Sequence, residues 1–108
     1  MDIREIVKTD KYAMCCRNKE EMLWLERQLQ ELEITWQSGD TFKLMQDCWH
    51  NLDLYGDCCF GCNSWGQRIR MTYAYAEYYS SLSDKPRIVI EVANLMPSID
   101  YTDLLNLL

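Results

Sequence analysis

Cys48-Trp49-His50-Asn51-Leu52-Asp53-Leu54-Tyr55-Gly56-Asp57-Cys58-Cys59-Phe60-Gly61-Cys62 holds four of the chain's six cysteines and its one histidine. Ligand-type residues stand at both ends, Cys48-x-His50 and Cys58-Cys59-x-x-Cys62, around a segment short enough to fold back. A tetrahedral zinc ion takes four nitrogen or sulfur donors, and Cys59 and Cys62 offer two if Gly61 lets the backbone turn tightly between them. Cys48 and His50 are the natural second pair. The stretch therefore predicts a loop stapled by structural Zn2+ on Cys48, His50, Cys59 and Cys62, with Cys58 in reserve should His50 lie too far away. The same residues allow two other readings, reduced thiols filling a small core and a disulfide or redox pair. His50 alone also fits a surface imidazole.

The 108 residues fit a single domain, 1–108. A chain of this size buries only about two-thirds of its unfolded surface, so a metal staple would add useful stability. The opening residues, Met1 to Lys8, are charged throughout and contain no apolar run of signal-peptide or membrane-span length. The expectation is a cytoplasmic protein without a membrane partner, whose thiols stay reduced, which favours metal binding over a disulfide framework. With 17 acidic against 11 basic residues the formal net charge is -6, which argues against direct binding to a nucleic-acid backbone. Glu20, Glu21, Glu26, Glu31 and Glu33 are opposed in their segment only by Arg27, and Asp40, Asp47, Asp53 and Asp57 only by Lys43. Such runs are either solvated faces or surfaces for a basic partner.

Upstream of the cysteine-rich stretch, Tyr12-Ala13-Met14-Cys15-Cys16 reads as a strand with Tyr12, Met14 and Cys16 on one face and Ala13 and Cys15 on the other. This cysteine pair reads as core filling. Asn18 caps a helix to about Glu33, with Glu21 three residues on and a core stripe of Met22, Leu25, Leu29 and Leu32. Trp24 lies off that stripe and either wraps the edge of the core or stands out as a contact anchor. Ile34 to Asp40 reads as a short strand and turn, and Asp40 as the cap of a second helix that carries Phe42, Met45 and Trp49 and ends near Cys48 and His50. Downstream, Arg68 to Tyr73 alternates like a half-buried strand, and Ala74 to Leu82 reads as a tyrosine-rich helix. Arg87 to Ala93 reads as an inner strand, and residues from Ser98 as a final turn or two whose leucines close the core or join two copies. The fold class that follows is α+β, a small sheet of about four strands packed by one main helix.

Trp36, Ser38 and Gly39, then Met71-Thr72-Tyr73, Glu77-Tyr78-Tyr79 and Ile88-Val89-Ile90-Glu91, stand in an order that resembles small accessory proteins of bacteriophages and prophages. The resemblance spans residues 11 to 96 loosely, and the cysteine-rich stretch departs from it. It implies a compact α+β fold in a mobile-element setting. Some small, acidic phage proteins are anti-CRISPR or other anti-defence inhibitors, and this chain is similar to them in size and charge.

Catalytic patterns fit less well. A zinc deaminase would need a glutamate two residues after the histidine and a proline before its Cys-x-x-Cys pair, where Leu52 and Cys58 stand. Gly-rich phosphate loops are absent, and Cys59-Phe60-Gly61-Cys62 after an acidic turn is a poor match to a thiol oxidoreductase. The leading expectation is thus a non-enzymatic inhibitor that binds a type II CRISPR effector nuclease and blocks nucleic-acid loading. Glu20, Glu26 and Glu31 with Trp24 form its partner-binding set, and Trp49, Trp65 and Tyr79 are further aromatic anchors. The contrasting expectation is a small zinc enzyme acting on a nucleotide or signal molecule.

Overall fold

The computed structural model describes residues 2–65, 68–82 and 84–97, and all of their side chains except those of 63–71. Strand β1 (Tyr12–Cys16) lies inside a mixed sheet with β3 (Cys58–Trp65) antiparallel on one side and β5 (Ile88–Glu91) parallel on the other. Beyond β3 come β4 (Arg68–Ala74), antiparallel to it, and β2 (Thr35–Trp36), parallel to β4. The order is β2-β4-β3-β1-β5. The expected α+β sheet of about four strands is present, with two-residue β2 as a short fifth strand at one edge.

Side-chain alternation gives the sheet two unlike faces. Met14, Cys16, Cys58, Phe60 and Cys62 point into the main core, and Ala13, Cys15 and Cys59 into a second, smaller cluster around Tyr79. The main face is covered by helix α2 (Lys19–Glu31), whose Met22, Leu25 and Leu29 are buried while Leu32 packs at the margin. Asn18 caps it as expected, its side chain accepting from the Glu21 amide at 2.9 Å. The Glu21 carboxylate reaches back to the Arg17 amide, also at 2.9 Å, so two amides at this helix start are satisfied reciprocally. The charged opening residues form helix α1 (Ile3–Ile6), and its Ile6 joins the same core.

Helix α3 (Gln46–Tyr55) overturns the reading of the cysteine-rich stretch as a folded-back loop. Its cap position is Met45, and the backbone carbonyl of Asp40, expected to be the cap residue, instead accepts from the Trp36 amide. Helix α4 (Ala76–Ser80) is shorter than Ala74 to Leu82 and packs on the second face. The expected inner strand is β5, which lies at the sheet edge with Ile88 61% exposed and gives way at Val92 to a 3-10 turn. The leucine-rich segment from Ser98 and the side chain of Trp65 lie outside the described residues.

Candidate protein-interaction surface

The zinc expectation is contradicted: among the described residues no group of three or more His, Cys, Asp or Glu could hold a metal ion. Strand parity is the physical reason. Cys59 and Cys62 are three residues apart on extended β3, so their side chains leave opposite faces of the sheet. Cys59 is joined by a disulfide to Cys15, directly opposite it on β1. Helix α3 separates the other two intended ligands, burying Cys48 and exposing His50. Cys58, the reserve ligand, lies in the main core with Cys16 and Cys48. It donates a hydrogen bond to Cys48, and that bond, with burial, pushes its thiol far above the usual range. Burial alone pushes Cys62 up to about 12. Of the six cysteines, Cys16, Cys48, Cys58 and Cys62 lie outside the disulfide as buried thiols. Cys15, read as packing, is half of the disulfide.

The expected partner-binding set divides. On α2, Glu20, Trp24, Arg27 and Glu31 recur at helical spacing along one side, so Arg27 interrupts the acidic stripe. Glu20 and Glu31 are exposed, while Trp24 packs against the core edge. Glu26 points another way and accepts the Leu44 amide at 2.7 Å, so its carboxylate holds the 40–45 segment against the helix. Trp49 is part-buried against the core, and Tyr79 is 3% exposed.

A different surface emerges where α3, β3 and α4 meet. Gly56 ends α3 in the left-handed region, φ 76°, with its amide donating to the Leu52 carbonyl at 3.0 Å. This leaves Tyr55 at the helix end and turns the chain into Asp57. Asp57 is buried, and its carboxylate accepts the Ala76 amide at 2.9 Å and so fixes the start of α4, with Tyr75 just before it. Tyr55 and Tyr75 stack with ring centroids 4.3 Å apart. Tyr75 meets Tyr78 edge-on at 6.0 Å, and Tyr78 meets buried Tyr79 at 5.6 Å. Tyr79 ends the ladder inside, its hydroxyl 3.0 Å from Thr72 and its ionisation pushed up to about 12 by burial. The outer rungs face solvent: Tyr55 is 49% exposed, Tyr78 47% and neighbouring Leu54 62%. Exposed Asp53 and Glu77 stand among them in sequence. Behind the ladder is a cleft of about 450 Å³ whose lining includes Tyr75, Tyr78, Tyr79 and Leu82. Sequence reading found the tyrosines of α4 but not their partner Tyr55, because the stack joins residues far apart in the chain.

Arg17 ties this region to β5. Its guanidinium lies 3.3 Å from Asp57 and 2.7 Å from Glu91. The hydrogen bond from Arg17 holds the Glu91 carboxyl below its ordinary value of 4.5. A carboxyl depressed on folding adds stability that is present above its unfolded value and lost as pH falls through the folded one. Chemical-denaturation midpoints taken from about pH 7 to about pH 3 are therefore expected to fall less steeply for Glu91→Gln than for the unaltered chain. At neutral pH the variant should lose less than about 1 kcal/mol, because both partners are more than one-third exposed. Identical acid limbs for the two proteins would remove this role from Glu91.

Comparison with protein families, curated proteins and solved structures returns no match. Among the described residues no helix is long and apolar enough to cross a membrane.

Proposed function

We propose that this chain acts by binding, as a phage-type inhibitor that covers a basic surface of a bacterial defence nuclease and blocks nucleic-acid loading without turnover. The observation that carries the binding reading is the solvent-facing ladder of Tyr55, Tyr75 and Tyr78 beside Leu54. Tyrosine supplies a large, stiff contact area with a polar tip, and such rings are enriched among residues that dominate interface energies. Exposed Asp53 and Glu77, on a chain of formal net charge -6, suit a partner rich in Arg and Lys. The target class, a type II CRISPR effector, comes from the phage-accessory resemblance, and Glu20 and Glu31 on α2 supply further acidic contacts.

Titration against such a nuclease tests both parts. Inhibition should saturate near one chain per target. The Tyr55→Ala/Tyr78→Ala variant should weaken it about 10- to 100-fold, the range of a lost aromatic hot spot. Glu20→Lys/Glu31→Lys should slow association and reduce its salt dependence. Full inhibition at far below equal amounts would mean turnover and favour an enzyme acting on a nucleotide or signal molecule.

A further inference from the structure

β2 and β4 pair only through Thr35 with Arg70 and Trp36 with Met71, whereas β4 runs on to Ala74. The pairing pattern fixes which backbone groups of that extension point outward. Cys15 and Cys59 face each other with Cα atoms 4.0 Å apart, the narrow spacing of a pair that exchanges no backbone hydrogen bonds. The N–H and C=O of Cys59 therefore point to β4, where Cys59 stands opposite Ala74. These directions reverse at each residue, so the N–H and C=O of Tyr73 leave the sheet on the β2 side. The pairing of β2 with β4 ends at Met71 and does not reach either group.

Beside them opens a cleft of about 550 Å³ whose lining includes Trp36, Ser38, Asp40, Met45 and Tyr73. Its aromatic wall is rigid. The Trp36 and Tyr73 rings meet edge-on at 5.9 Å, the Trp36 indole donates to the Lys43 carbonyl at 3.0 Å, and the Tyr73 hydroxyl donates to Asp47 at 3.2 Å. Met45 is 41% exposed at the opening, and Asp40 is exposed at the rim.

We propose that this cleft is a strand-addition site for an extended segment of a partner protein. The segment pairs with the N–H and C=O of Tyr73, continuing the line of β2. One apolar side chain enters between Trp36, Met45 and Tyr73, and a Lys or Arg elsewhere on the segment faces Asp40. An extended backbone offers a donor and an acceptor at the spacing of one β residue, and its alternating side chains place one into the cleft while its neighbours point away. The acidic rim and the net charge of the chain select a basic segment. The site uses none of Tyr55, Tyr75 and Tyr78, so it stands apart from the aromatic surface.

Selection of a displayed random heptapeptide library on the immobilised, unreduced chain tests this. Enriched peptides should carry an apolar residue next to a basic one. Added to isotope-labelled protein, the synthetic peptide should shift the Tyr73 amide and the Trp36 indole resonances. Methylating its central backbone nitrogen, or the Met45→Glu change, should weaken binding at least about tenfold, while Tyr78→Ala should leave it unchanged. The proposal fails if no peptide is enriched over a blank surface, or if the shifts map to Tyr55, Tyr75 and Tyr78. It fails equally if backbone methylation has no effect, the result expected of a cleft that binds small apolar molecules only.

Discussion

Reducing the Cys15–Cys59 disulfide is expected to lower unfolding stability by about 4 kcal/mol, taking the entropy of a closed loop for cysteines 44 residues apart. Domains of this size hold only about 5–15 kcal/mol in total, so the melting temperature should fall by on the order of 20 °C. Melting with and without a phosphine reductant reads the effect. The Cys15→Ala/Cys59→Ala variant should be less stable and indifferent to reductant. Thiol titration of the unreduced, denatured chain provides an independent count, four reactive thiols from Cys16, Cys48, Cys58 and Cys62. Six reactive thiols, or a melting temperature that ignores reductant, would show that the bridge does not contribute.

The second large effect is expected at Gly61, in the middle of β3. A Cβ there would lie 2.5 Å from Nη1 and 2.8 Å from Cζ of Arg87, and 3.1 Å from the Tyr79 ring. An arginine tip can usually swing aside, but this one is held. Arg87 Nη1 donates to the Cys62 carbonyl at 3.0 Å and to the Tyr12 carbonyl at 3.2 Å, and the guanidinium lies over the Tyr79 ring at 5.3 Å. Gly61→Ala should therefore displace the guanidinium and break charge-assisted bonds, at a net cost of about 2–3 kcal/mol after the small gain from replacing a strand glycine. Coupling makes the test specific. In an Arg87→Ala background the same Gly61→Ala change should cost less than about 0.5 kcal/mol, since the obstructing atoms are gone. Equal costs in both backgrounds would mean that Gly61 is needed for another reason.

These two sites show where sequence reading succeeded and where it stopped. Asn18, Glu21 and the stripe of Met22, Leu25 and Leu29 were legible because a cap and its helix are local and repeat at 3.6 residues. The two faces of β1 were legible for the same reason at period two. Cys58 to Cys62 was misread because ligand-type residues at suggestive spacing outweighed the alternation that was also there, with Cys58, Phe60 and Cys62 facing one way. A stronger signal lay in comparing two segments. Ala13-Met14-Cys15-Cys16 set against Gly61-Phe60-Cys59-Cys58 pairs small with small, large with large and cysteine with cysteine, which is the register found. Reading each segment alone could not reveal it. The aromatic surface was hidden more deeply, since it needs α3 to run on to Tyr55 and Asp57 to reach across to Ala76. The open edge at Tyr73 depends on where β2 stops, a matter of tertiary pairing.

The strand order also has a consequence in time. During synthesis β1 emerges early, yet β3 must be made before one of its edges can be closed, and β5 later still before the other can. Hairpin β3–β4 and capped helix α2 use near neighbours and can form at once, but the parallel seam between Tyr12 and Ile88 must wait for almost all of the described chain. Until β3 is made β1 has two bare edges, and until β5 is made it has one, the kind of template that recruits strands from other nascent chains. Slow translation or crowded expression should thus lead to aggregates nucleated at β1, and a slower approach to the native sheet than its size alone would suggest.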